Sequence, residues 1–212
     1  MASYLDLQNG IADDLTRSDL GRQVKSAIQD AIKQYERSRF WFNWTRSKTF
    51  NTVVGQAPYT GTDLPEIPNI IKIDDLFIRR TPTSVFPLRW FEPDQFEVIS
   101  GRPAANGVPS AYTYIDGQLI LYPAPNAVYP LRPLMHYRLS ALVNDSDTNA
   151  WCNEAENLIR AHAKLIMHTG GLLEDDALVQ RLQMQIEGIK SGLDYETSAR
   201  MATGRIRSSE PC

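Results

Sequence analysis

Residues 107–137, GVPSAYTYIDGQLILYPAPNAVYPLRPLMHY, decide how this chain folds. Asp116-Gly117 separates Ala111–Ile115 from Gln118–Tyr122. A two-residue Asp-Gly loop favours a type I′ turn, because both positions take positive φ and the turn's twist matches the flanking strands. A hairpin over 111–122 is predicted, then a Pro123-Ala-Pro125 turn and a last strand from about Val128 to Leu139.

Working outward towards the N-terminus, the extended period holds back to residue 48. Lys48–Val54 reads as a strand, and Pro58, Gly61, Pro65 and Pro68 as a loop. Ile71–Ile78 alternates but breaks at Asp74-Asp75, which predicts a bulged strand. Thr81-Pro-Thr-Ser84 is a turn and Val85–Trp90 a short strand. Glu92-Pro93 starts a short helix to about Ile99, with proline where its missing N–H costs nothing. Ser100–Pro109 is a Gly/Pro loop.

On both sides of this β segment the period becomes helical. Ser3 can cap a helix over 3–15, with Asp6 at capping-box spacing and Tyr4, Leu7, Ile11 and Leu15 on one face. After Thr16-Arg-Ser-Asp19, a helix over about 19–42 carries Leu20, Val24, Ala27, Ile28, Ala31, Ile32 and Tyr35 on one stripe. After the polar hinge 144–149, a helix over 150–169 presents Trp151, Ala155, Leu158, Ile159, His162 and Ile166. Gly170-Gly171 stops it, since glycine accepts the left-handed conformation. The last helix starts at Glu174-Asp175-Asp176, acids suited to the positive helix end, with Leu178, Leu182, Ile186, Ile189 and Leu193 as its stripe.

Helices that each bury one stripe must pair with something. The expected fold is therefore α+β: a bundle of N- and C-terminal helices carrying a β-rich insertion. The divisions are 1–47 for the N-terminal helices, 48–143 for the insertion, 144–202 for the C-terminal helices and 203–212 for a flexible tail.

The 212 residues are 42% hydrophobic and 22% charged, enough for a packed core without staples. A net charge of −3 leaves no basic footprint for nucleic acid. Cys152 and Cys212 form no CxxC pair and read as free thiols in a reducing compartment. The start MASYLDLQNG has no signal-peptide pattern, and no apolar run reaches the ~18 residues of a membrane span. A soluble protein made in a cytoplasm is expected.

Catalytic chemistry finds no motif. His162 and His168 are six apart, roughly 240° around a helix, where HExxH needs i, i+4; His136 falls in a strand. His162 reads as a hydrogen-bonded packing residue. Asp13-Asp14, Asp74-Asp75, Glu154/Glu156 and Asp175-Asp176 are adjacent or alternate acids whose side chains diverge. No GxSxG or GxxxxGK[ST] occurs, and Cys152 reads as a small buried apolar residue. No catalytic residue, metal or cofactor is expected. The cluster Phe40, Trp41, Phe42 and Trp44 points in several directions and cannot lie on one helical stripe. It reads as a core or junction anchor, with a hot spot for a protein partner as the functional alternative. Base stacking, with Arg37, Arg39, Arg46 and Lys48 nearby, is the remaining alternative.

Several segments together resemble bacteriophage head-to-tail adaptor proteins of the tail accessory or tail tubular type. They are Ser3-Tyr-Leu-Asp-Leu, Ala31-Ile-Lys-Gln-Tyr-Glu-Arg-Ser-Arg-Phe-Trp-Phe-Asn43, Gly107-Val-Pro-Ser-Ala-Tyr112, Leu119-Ile-Leu-Tyr-Pro-Ala-Pro125, Tyr137-Arg-Leu and Asn149-Ala-Trp151. The resemblance spans about residues 3–200, and Trp44 departs from it where a polar residue is expected. It implies a non-enzymatic structural protein at the head-tail junction of a virion, assembled in the host cytoplasm. It implies a homo-oligomeric ring, twelve-fold like the portal it sits under, that extends the DNA channel and docks a tail or nozzle protein. Viral DNA would pass without sequence-specific binding. It also implies that the C-terminal segment reaches the portal, with Arg200, Arg205, Ile206 and Arg207 as contacts. A tail completion or terminator protein is the nearest alternative, and a carboxylate-dependent cell-wall hydrolase a more distant one.

Overall fold

A computed structural model describes residues 2–17, 19–81, 83–101, 105–169 and 176–201. The α+β class expected from sequence is what forms: among these residues there are six α-helices, a short 3-10 helix and two sheets. The chain divides into two compact units, Met1–Phe42 with Leu139–Cys212, and Asn43–Arg138.

The helical unit begins with α1 (Tyr4–Leu15), whose capping box forms in full: the Asp6 amide donates to Ser3 Oγ, and the Ser3 amide donates to Asp6 Oδ2 at 2.8 Å. Helix α2 (Gly21–Tyr35) buries Val24, Ala27, Ile28, Ala31 and Tyr35. It stops seven residues short of the predicted end. Leaving the helix lets Phe40 and Phe42 stack on each other at 5.2 Å while Trp41 meets Phe42 edge-on, an arrangement consecutive helical positions cannot give. The predicted helix over 150–169 is also two pieces, α4 (Ala150–Asn153) and α5 (Glu156–Thr169). The break follows Asn153, which is engaged elsewhere: its Oδ1 accepts from the Ala2 amide at 2.9 Å and its Nδ2 donates to Thr148 Oγ1 and the Asn149 carbonyl. Helix α6 runs Asp176–Met201. Gly170, Gly171, Glu174 and Asp175, read as stop and start signals, lie outside the described residues.

Helix α5 is the centre of this unit. It packs on α2, α6 and α1. Leu158, Ile159, Ala161 and Ala163 are buried with Tyr4, Leu7, Ile11 and Ile28 in one core, which Ile186 and Leu193 of α6 complete. Arg160 crosses α1 where Gly10 leaves room: a Cβ there would stand 3.0 Å from Arg160 Cζ. The guanidinium donates to the Gly10 carbonyl at 3.1 Å and pairs with Asp14 at 2.9 Å and Glu156 at 3.3 Å.

The β unit is two sheets around a second core. In the first, β4 (Ile70–Thr81) pairs antiparallel with β9 (Pro130–Tyr137) and β5 (Ser84–Pro87). The predicted bulge at Asp74 is present as a register shift between Ile73 and Asp75. The strand expected over 48–54 shortens to β2 (Phe50–Asn51), and β1 (Trp44–Thr45) forms before it, where no strand was expected; both pair with β9. In the second sheet, β7 (Ala111–Ile115) and β8 (Gln118–Tyr122) form the predicted hairpin. Asp116 and Gly117 take φ 52 and 71, as the type I′ turn demands. Pro58-Tyr59, expected in a loop, is instead a third strand, β3, on the far side of β8; it brings Tyr59 to full burial. The stretch 85–90 changes sheets rather than staying one strand. Residues 84–87 belong to the first sheet and β6 (Arg89–Trp90) to the second, parallel to β7, with buried Leu88 as the pivot. Helix α3 (Pro93–Ser100) follows with Pro at its first turn and packs on β7.

Candidate functional site

The aromatic cluster singled out in the sequence is divided by the fold. Phe40 is fully buried and meets Phe42 at 5.2 Å, nearly parallel, and Trp151 at 6.0 Å, edge-on. Phe42 meets Trp151 edge-on at 5.1 Å. These offset and T-shaped geometries suit ring quadrupoles and add to the burial itself. Phe40, Phe42 and Trp151 are therefore packing residues of the helical unit. Trp41 is half-buried on the same cluster. Trp44 belongs to the β unit, where its indole Nε1 donates to Asp74 Oδ2 at 2.9 Å.

Arg200, near the end of α6, lies over Trp41 with its guanidinium carbon 4.5 Å from a ring centroid, inside cation–π range. It also pairs with Glu196 one turn back. The last turn of α6 is thus held on the aromatic cluster, and the chain beyond Met201 starts there. Arg205, Ile206 and Arg207 lie outside the described residues. Sequence reasoning missed Trp151 as a member of the cluster and Trp41 as the seat of Arg200. Both pairings join segments more than a hundred residues apart, and no local pattern records them.

The titratable groups are used for structure. His162 is half-buried in the helical unit with its Nδ1 2.7 Å from the Tyr35 hydroxyl; burial pushes the imidazole below its ordinary pKa. Burial also raises the Tyr35 phenol and the Cys152 thiol, so both stay protonated near neutrality. Asp14 is opposed by burial, yet hydrogen bonds from Lys164 and Arg160 outweigh that and hold it below the usual carboxylate range. Hydrogen bonds from Lys25 and Gln8 lower Asp145, and the Asn144 and Val143 amides lower Asp147. A general acid needs the opposite, a carboxyl held protonated near neutral pH. Asp6, Asp14, Asp19, Asp145 and Asp147 all move downwards. The cleft beside Trp90, lined by Ile73, Asp74, Tyr112 and Tyr114 and about 360 Å³ in volume, offers no better. Burial, then Asp75 and Asp74, push the Tyr112 phenol up to about 12. No group of three or more His, Cys, Asp or Glu is placed to hold a metal among the described residues, and no described helix is long and apolar enough to cross a membrane.

The chain matches the family described as SU10 adaptor protein over residues 2–208, nearly its whole length. It belongs to the SU10 adaptor protein family. This family assignment makes it a bacteriophage structural adaptor, and it agrees with the resemblance carried by residues 3–200. A search of the curated proteins finds no match. In this chain the helical unit buries Cys152, half-buries His162 and leaves Asp13 and Asp14 at the surface, and one cation–π contact holds Arg200 of the last helix on Trp41.

Proposed function

We propose that this SU10-family adaptor forms a ring beneath the portal of a phage head, extends the DNA channel, helps retain the packaged genome and offers a docking face to the tail or nozzle. The observation that carries this reading is the family match over residues 2–208. The ring is twelve-fold, matching the portal, and the protein resides at the head-tail junction of the virion. Two surfaces serve different neighbours in such a ring, a heterologous contact that closes by rotation.

The portal contact runs through the C-terminal segment, with Arg200, Arg205, Ile206 and Arg207 as its charged and apolar points. The geometry of α6 supports this: Arg200 and Trp41 anchor the point from which residues 202–212 depart. Trp41, half-buried beneath Arg200, keeps part of its ring open to a partner. DNA passes through without sequence-specific contacts.

Mixing the purified chain with purified portal rings and weighing the products by native mass spectrometry tests the reading. A ring-on-ring complex, lost when residues 203–212 are deleted, supports it. A full-length chain that ignores the portal under all conditions overturns it.

A further inference from the structure

The two outer faces of the β unit are chemically complementary to each other and cannot meet within one chain. Pairs Ile78–Leu131 and Ile73–Met135 of the first sheet face the core, as do Tyr112–Leu121 and Tyr114–Leu119 of the second. Side chains alternate along a strand, so the pairs between them face outwards. On the first sheet these are Phe77–Arg132 and Arg79–Val85. On the second, Ala111 pairs with Tyr122, and Phe96 of α3 meets the Tyr122 ring edge-on at 6.4 Å. Helix α3 therefore covers the outside of the second sheet, and the Arg79–Arg132 face is the outside of the first.

The arginine face holds a cavity of about 190 Å³ lined by Thr49, Phe77, Arg79, Val85, Pro130 and Arg132, with the Leu131 backbone at its floor. That is below the ~300–1,000 Å³ of small-molecule pockets and suits inserted side chains. Both guanidiniums are exposed, and neither has an ion-pair partner among the described residues; Arg132 lies 5.6 Å from the Phe77 ring centroid. Across the unit, α3 presents Asp94, Glu97 and Val98 at i, i+3 and i+4, one solvent face. Val98 is 69% exposed, and neither acid has an ion-pair partner among the described residues.

We propose that the occupant of the Arg79–Arg132 groove is α3 of a second copy of this chain. Val98 enters the cavity against Phe77, Val85 and Pro130, and Asp94 and Glu97 reach Arg79 and Arg132. Because groove and helix lie on opposite outer faces of the sandwich, the contact is heterologous and repeats head to tail, the type that closes into a ring. This inference rests on the ring reading above and names its subunit contact.

Charge exchange tests it. One variant carries Arg79→Glu with Arg132→Glu, the other Asp94→Arg with Glu97→Arg. Each alone sets like charges against each other at every contact, and the protein concentration needed to fill a portal ring rises by at least about tenfold. Mixed in equal amounts, each groove meets a helix of opposite charge, and filling returns with the two variants alternating. Native mass spectrometry on portal rings counts both, and circular dichroism confirms that each variant folds. Either variant filling rings like the wild type, or a mixture that fails to recover, overturns the proposal. Normal filling by the arginine variant with loss of bound DNA overturns it too, in favour of phosphate contact at the groove. A wild-type chain that never assembles on the portal removes the ring reading itself, which the variants alone do not touch.

Discussion

Phe40→Ala and Trp41→Ala should separate what the aromatic cluster does for folding from what it does for binding. Phe40 has no exposed surface and touches Phe42 and Trp151 through its ring. Truncating such a residue loses its transfer free energy and leaves a cavity, together about 3–5 kcal/mol. Trp41 is half-buried, and its loss removes one edge contact with Phe42 and the Arg200 stack. Those are worth about 0.5–1.5 and 0.5–1 kcal/mol, so about 1–2.5 kcal/mol in all. Urea unfolding followed by ellipticity at 222 nm reports the helical unit, where both residues lie. Phe40→Ala should move the midpoint strongly, with portal binding by the remaining folded protein near wild type. Trp41→Ala should move the midpoint little and weaken portal binding about tenfold or more, as truncating an aromatic hot spot does. Equal destabilisation by the two, or less than about 1 kcal/mol from Phe40→Ala, would refute the division of the cluster into core and contact residues.

Other expectations follow from single sites. Ser3→Ala removes the capping box of α1 and should cost about 1 kcal/mol in the same urea titration, with Ser3→Asp close to neutral. Gly117→Ala should cost about 1–2 kcal/mol in thermal unfolding, because the hairpin needs φ near 71 there; the added Cβ would meet Pro68 Cα at an ordinary 3.7 Å, so the loss is backbone strain and not a clash. The His162 imidazole has a folded pKa below its unfolded value of 6.5, so the unfolded chain binds the extra proton first. Stability is then complete above about pH 6.5 and declines as pH falls from there towards the folded pKa, and His162→Gln should flatten that part of a pH-melting profile.

Local signals carried much of the fold. The Asp116-Gly117 turn, the Ser3–Asp6 box, the Glu92-Pro93 helix start and the Asp74 irregularity are each set by a few adjacent residues, and each formed as read. The misreadings share one cause, tertiary demand overriding local period. Helix α2 ends at Tyr35 because Phe40 and Phe42 must face one neighbour, Trp151, from positions two apart. Pro58-Tyr59 became a strand because Tyr59 completes the second core, and residues 85–90 changed sheets at Leu88 for the same reason. The site was less legible. Phe40–Phe42 stood out by composition, but Arg200 over Trp41 and the opposition of Arg79–Arg132 to Asp94–Glu97 arise only when distant strands and helices are placed.

Docking on a portal ring through the C-terminal segment is what the proposed adaptor role requires of this chain. Imaging purified portal rings by electron cryomicroscopy after incubation with the full chain tests it most directly. A second ring of twelve copies stacked on the portal is expected, with density from residues 202–212 running into it. Portal rings that stay bare at every concentration of a folded chain would contradict it.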